Sequence, residues 1–304
     1  MTPRAEPRPW QVHLALAGAQ IGFALFPILG KLALSAIPPL LLAAFRVVAA
    51  AILLEGVRRA LGGESVLPAD RRRIFLYGLL GVSFNQLLFI TGLFLTSAIH
   101  TTILTATIPV FTLAAAVLLG RERMTLRSAL GILLAGLGAL ALLNAQRFAW
   151  QSDSFRGDVL LLLNCTSYSL YLVLSRPILA RYRVVTFTAA VFRYGAILIV
   201  LVALPDLLRF EPARVAPIAW VCLAGVIVLC TVIPYLLNSW ALARTAASRV
   251  AFYVFLQPLI STVLAVAILA EALTLKALFA ALLIFAGLGV TLAGRRRTAR
   301  PVIR

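Results

Sequence analysis

Apolar positions fill this chain in long blocks, broken by short joints rich in arginine, proline and small residues. A helix needs about 20 apolar residues to cross a bilayer. Ten blocks meet that length, at roughly 11–33, 38–57, 74–95, 98–119, 126–144, 157–179, 185–204, 215–240, 249–270 and 275–294. They are built of Leu, Ala, Val and Ile with scattered Gly. The alternating ten-residue strands of an outer-membrane barrel are absent. The pattern predicts an all-α integral membrane fold of ten transmembrane helices with no soluble domain. The least marked joints are Ser97-Ala98 and Arg244-Thr245-Ala246-Ala247.

The second half repeats the first. Ile108-Pro109 is followed 13 residues later by Glu122, then by Thr125-Leu126-Arg127; Gln257-Pro258 is followed at the same spacing by Glu271, then by Thr274-Leu275-Lys276. Ala44-Phe45-Arg46 in the second block matches Val191-Phe192-Arg193 in the seventh. Lys31, closing the first, parallels Arg176, closing the sixth. Thr96-Ser97-Ala98 parallels Thr245-Ala246-Ala247. The units are residues 1–147 and 148–304, five spans each. Five is odd, so the second copy enters the membrane from the opposite side, and a 5+5 inverted-topology repeat is expected.

Composition agrees. Of 304 residues, 62% are hydrophobic and 12% charged, against roughly 25% charged in soluble domains. The net charge of +18 raises the question of nucleic acid, but the arginines gather at the joints and the C-terminus. They read as topology signals and as attraction to anionic membrane lipids, with no nucleic-acid partner. With the N-terminus inside, 20 basic residues face the cytoplasm and 6 face out, which places both termini in the cytoplasm. The three cysteines, Cys165, Cys222 and Cys230, lie within apolar blocks without metal-like spacing. The first block is long and lacks a processing site, so a cleaved signal peptide is not expected.

Polar side chains inside the spans are the candidate chemistry. Arg46 and Arg193 are the costly ones, since a charge in hydrocarbon costs at least ~2.5–3.5 kcal/mol and normally faces a cavity or a partner. No Asp or Glu lies at comparable depth. Each arginine either meets a substrate carboxylate or phosphate, or snorkels and holds backbone carbonyls freed by kinks. Asn164, Ser167, Tyr168 and Tyr171 fall at helical spacing on one face of the sixth span. Gln20 in the first span, Asn85 and Gln86 in the third, Tyr235 and Asn238 in the eighth, and Tyr253 and Gln257 in the ninth complete the set. The fifth and tenth spans have almost none, so a central cavity lined by spans 1, 3, 6, 8 and 9 is expected. Such residues also serve simply as interhelical hydrogen-bond partners.

Pro109 and Pro258 each remove a backbone donor and free the carbonyl four residues earlier, as kinks or hinges; Pro27 and Pro234 add interruptions in spans 1 and 8. Glu122 and Glu271, ahead of Thr125 and Thr274, read as supports for the helix start that follows. His100 reads as a surface residue at an outer joint. The strips Gly131, Ala135, Gly138 and Gly287, Gly294 suit close helix packing, within the chain or in a possible homodimer.

Taken in order and doubled, these motifs resemble the EamA family of the drug/metabolite transporter superfamily. They are two five-helix halves, the arginine of span 2, the Ala241-Leu242-Ala243-Arg244-Thr245 end of span 8, and the Pro–Glu–x–x–Thr segments. The likeness covers nearly the whole chain and departs from the pattern at Gly92-Leu93-Phe94. It implies export of small metabolites, often amino acids or related compounds, by alternating access in the inner membrane. There is no phosphate-cradling loop, no His-Glu-x-x-His and no Gly-x-Ser-x-Gly elbow. No cofactor or metal is therefore expected, and any driving force is a gradient, with diffusion or exchange as good a candidate as proton antiport. A lipid-modifying intramembrane enzyme and a passive channel are the alternatives.

Overall fold

The computed structural model describes residues 9–121, 124–142, 152–245 and 247–293, and every element among them is helical. Prolines open several helices, where the missing N–H costs nothing. The helices are α1 (Pro9–Leu34), α2 (Pro39–Ala60), α3 (Pro68–Gly78), α4 (Asn85–Leu95), α5 (Ala98–Thr105), α6 (Ile108–Leu118) and α7 (Leu126–Leu142). After them come α8 (Asp153–Leu179), α9 (Val184–Leu207), α10 (Pro217–Ile227), α11 (Ile233–Leu242), α12 (Ala247–Phe252), α13 (Leu256–Leu269) and α14 (Leu275–Ala293). Several run on end to end. Seven continuous stretches are long and apolar enough to cross a membrane: Trp10–Leu34, Pro39–Ala60, Pro68–Leu95, Ala98–Leu118, Asp153–Leu179, Val184–Leu207 and Pro217–Leu242. Shorter apolar helices lie within the blocks beginning at 126, 249 and 275. Large apolar side chains such as Ile52, Leu133, Leu163, Leu201, Val221 and Leu282 remain exposed around the bundle, the surface a bilayer covers.

Interruptions recur in matched places. A π-helical stretch, Leu79–Phe84, joins α3 to α4, and another, Val228–Val232, joins α10 to α11. In each, a hydroxyl reaches back to the carbonyl five residues earlier: Ser83 to Gly78 at 3.5 Å, Thr231 to Val226 at 2.7 Å. The chain also breaks between α5 and α6 and, through a 3-10 turn at Tyr253–Phe255, between α12 and α13. Pro109 and Pro258 lie in the first turn of the helix after each break, where a proline is tolerated. They begin new helices; they do not bend continuous ones.

Packing follows the same matching. The largest interhelical contacts are α7 on α14 and α2 on α9, while α8 packs on α4 and α6 as α1 packs on α11 and α13. Between α7 and α14 the backbones nearly touch. A Cβ on Gly287 would lie 2.5 Å from the Gly131 carbonyl oxygen, and one on Gly138 would lie 2.8 Å from that of Ala280. The small-residue strips are thus used inside the chain; Gly294 and Glu122 lie outside the described residues.

The paired sequence motifs meet one another. Lys31 Nζ donates to the Thr96 carbonyl at 2.5 Å, and Arg176 Nε donates to the Thr245 carbonyl at 3.0 Å. Thr274 caps α14 by accepting the Ala277 N–H at 3.1 Å. Glu271 does something else. Its carboxylate accepts the N–H groups of Ala98 and Ile99, both at 2.9 Å, so it supports the start of α5 from across the bundle.

Two acids are buried, contrary to the expectation from sequence. Asp158 accepts from Thr96 Oγ1 at 3.0 Å and lies 3.2 Å from His100 Nδ1. His100 is accordingly a partner in a buried cluster, not a free surface side chain. Asp70 accepts from the Tyr182 hydroxyl at 2.6 Å and from Arg181 at 3.2 Å, tying α3 to the α8–α9 joint. Burial, then the bond to Asp70, holds the Tyr182 hydroxyl above its ordinary range.

Candidate functional site

A cavity lies where α1, α2, α4, α8, α11, α12 and α13 converge with the two helix breaks. Gln20, Arg46, Asn85, Gln86, Asn164, Tyr168, Tyr235, Asn238 and Gln257 all line it. Its volume is about 60 Å³, space for a few waters. The walls between the polar groups are Phe23, Phe26, Phe89, Leu172, Val250 and Val254.

Arg46 is the centre of charge. It is 1% exposed, and its guanidinium stacks on Phe26 with 3.7 Å from Cζ to the ring centroid. Nε donates to Thr231 Oγ1 at 2.5 Å, one terminal nitrogen to Gln86 Oε1 at 2.5 Å and the other to the Cys230 carbonyl at 3.1 Å. The local sequence explains this anchorage. Pro234 has no N–H to give the carbonyl four residues earlier, which is that of Cys230, and the π-turn opens the backbone beside it. A guanidinium has five donors, so two remain. Among the described residues no carboxylate pairs with Arg46. A buried cation that keeps spare donors beside a cavity favours an anion there.

A network extends from it. The Gln86 amide, oriented by Arg46, donates to the Tyr235 hydroxyl and to Asn85 Oδ1, both at 2.9 Å. Tyr235 in turn donates to Asn85 Oδ1 at 3.1 Å, and Asn164 holds the Asn85 carbonyl at 2.7 Å. On the far side Asn238 Nδ2 donates to the Tyr168 hydroxyl at 3.0 Å, while Asn238 Oδ1 is buried with no partner among the described residues. Gln257 and Gln20 join across α13 and α1 at 2.5 Å. The breaks contribute as well. Thr105 and Val254, four residues before Pro109 and Pro258, both line the cavity.

The EamA-like transporter family model matches residues 10–144 and 155–293. The chain belongs to this family. Relatives described as uncharacterized transporters share 26% identity from Archaeoglobus fulgidus, over 84% of this chain and 88% of theirs, and 27% from Methanothermobacter thermautotrophicus, over 85% and 79%. A crystal structure superposes with a TM-score of 0.68 at 20% identity, covering 94% of this chain and 99% of its own. That likeness bears on the fold alone. As an EamA-family member the protein is a multi-pass membrane transporter.

Three of the residues singled out in this EamA chain lie away from the cavity. Tyr171 is buried behind Tyr168, its ring 5.9 Å from that of Tyr168 and pressed against Gly81, where a Cβ would stand 2.5 Å from it. Tyr253 bonds to His13. Arg193 is exposed on α9, 5.3 Å from the Tyr194 ring, and faces a separate cavity. Of the two arginines offered as candidates to meet substrate, Arg46 lines this cavity and Arg193 does not; on α9 it is the face of Gly195 that packs closely on α3 and the stretch after it. A Cβ on Gly195 would lie 2.6 Å from Val82 Cβ and 2.9 Å from the Gly78 carbonyl oxygen. Phe26, Phe89, Cys230 and Thr231 escaped the sequence reading. Phe89 follows Gln86 by three residues, so helical spacing from a polar position was an available signal there.

Proposed function

We propose that the protein exports small zwitterionic metabolites, amino acids or related compounds, by alternating access across the inner membrane with both termini in the cytoplasm. The observation that carries this reading is the pairing of Arg46, a buried cation with spare donors, with Asn238 Oδ1, a buried acceptor without a donor among the described residues. The first suits a carboxylate and the second an ammonium or hydroxyl. Phe26, Phe89 and Tyr168 supply the apolar walls between them.

The mechanism follows from two inverted five-span halves, residues 1–147 and 148–304. Supporting it, the largest helix contacts recur when each span is exchanged for its partner five spans on, and the π-turns, the breaks and the Lys31 and Arg176 latches pair in the same way. The two stretches matched by the family model also divide near residue 148. At about 60 Å³ the cavity is too tight for an amino acid, so the halves must separate to admit one, with the breaks before Pro109 and Pro258 as hinges. Counterflow in proteoliposomes tests the proposal. Vesicles preloaded with an unlabelled amino acid should accumulate the same labelled compound transiently. Folded protein that exchanges no zwitterion of a broad panel overturns it, and non-saturating flux favours a passive channel instead.

A further inference from the structure

A second cavity, of about 360 Å³, opens at the arginine-rich end of the bundle between α2, α3 and α9. Glu55, Arg58, Glu64, Arg71 and Arg193 are among its lining residues. Its acids are committed. Glu55 is held by Arg58 at 2.6 Å and Arg59 at 3.0 Å, and Glu64 accepts the Arg183 N–H at 2.8 Å. Arg71 and Arg193 have no carboxylate partner among the described residues.

Arg193 sits nine residues into α9, roughly 14 Å along the helix at 1.5 Å per residue, within the depth of the hydrocarbon. It shares an exposed stripe with Ile197, Leu201 and Leu204, positions four, eight and eleven further on and so on one face. Leu53 of α2 and Phe75 of α3 are exposed too. Helical side chains lean toward the N-terminus, which brings the guanidinium down toward Arg71. A cationic floor therefore lies beneath an apolar wall that faces lipid. A free anion would use the floor alone; a phospholipid uses both.

We propose that this cavity binds the phosphate of an anionic glycerophospholipid, with Arg193 and Arg71 as its ligands and the α9 stripe against an acyl chain. Arginine matches phosphate through paired N–H donors, and the lipid supplies the counter-charge that the protein withholds from Arg193.

Native mass spectrometry of the full chain in detergent tests this, with phosphatidylglycerol and phosphatidylcholine of identical chains added in parallel. Phosphatidylglycerol should be retained at least about fivefold over phosphatidylcholine, the factor that one basic residue gives near an anionic surface. Arg193→Gln should lower that retention about fivefold, whereas Arg193→Lys should keep most of it and Arg72→Gln all of it. Equal retention of the two lipids, or undiminished retention in the folded Arg193→Gln Arg71→Gln double variant, overturns the proposal. An equal loss in Arg72→Gln overturns it as well, by reducing the effect to diffuse surface charge. Displacement of the lipid by millimolar inorganic phosphate overturns the lipid as occupant in favour of a small anion.

Discussion

Arg46 and Arg193 stand at matched positions in sequence, each after an Ala-Phe or Val-Phe pair, yet one is buried and the other lies on the outside of the bundle. The difference arises in their neighbours. Beside Arg46 the α10–α11 junction offers a carbonyl stripped of its donor by Pro234 and a threonine hydroxyl, so the guanidinium is accepted by the backbone. In the other half Gln86 stands where Pro234 does, three residues after the π-turn hydroxyl, and keeps its N–H. Ser83 there spends its hydroxyl on the Gly195 carbonyl at 2.8 Å, and Gly78 and Gly195 close the gap. The π-turns and helix breaks recur, but the buried cation occurs at one of the two arginines. A transporter built from copies can thus have one asymmetric site in a symmetric frame.

The sharpest way to break this contrast is Arg46→Ala. Truncating one partner of a buried charge pair costs about 2–5 kcal/mol, so counterflow of a zwitterion should fall at least about 30-fold. Arg46→Lys should not restore it, because three donors cannot serve Thr231, Gln86, Cys230 and a ligand together. Retained saturable exchange in either variant would remove Arg46 from the site.

Gly195→Ala attacks the other side. The added Cβ meets Val82 and the Gly78 carbonyl within 3 Å, an overpacking that typically costs about 1–3 kcal/mol. Thermal unfolding in detergent should show the loss, while Gly56→Ala, where a Cβ meets nothing within 4 Å, should leave the transition in place. An unshifted transition for Gly195→Ala would mean that the α3–α9 approach is looser than its glycines imply.

Much of this was legible in the chain. Polar residues inside apolar blocks marked most of the cavity lining, from Gln20 to Gln257, though Ser167 and Tyr171, on the same face as Asn164 and Tyr168, do not line it. Lys31 and Thr96, matched in sequence to Arg176 and Thr245, bond to each other, as Arg176 and Thr245 do. What failed was long-range. Nothing near Arg193 in sequence signals that it will line a different cavity from Arg46, and Asp158 gives no sign of its burial until Thr96 and His100 fold over it. The π-turns left only a hydroxyl and a proline as traces.

A smaller effect is expected from Pro234→Ala. The restored N–H competes with Arg46 for the Cys230 carbonyl, a hydrogen bond worth about 0.5–1.5 kcal/mol, so the apparent affinity for a zwitterion should weaken about two- to tenfold with the maximal rate little changed. A change in maximal rate alone would assign Pro234 to the motion and not to the seating of the arginine.

The smallest effect belongs to Arg193→Ala. In phosphatidylcholine vesicles, which contain no anionic lipid, its removal should alter counterflow by less than about twofold, because its charge faces lipid and leaves the network around Gln86 and Tyr235 untouched. A loss approaching that of Arg46→Ala would mean that the two arginines exchange roles as the halves rock. The asymmetry would then describe one state of the cycle instead of the site itself, since an inverted repeat reverses its two faces between states.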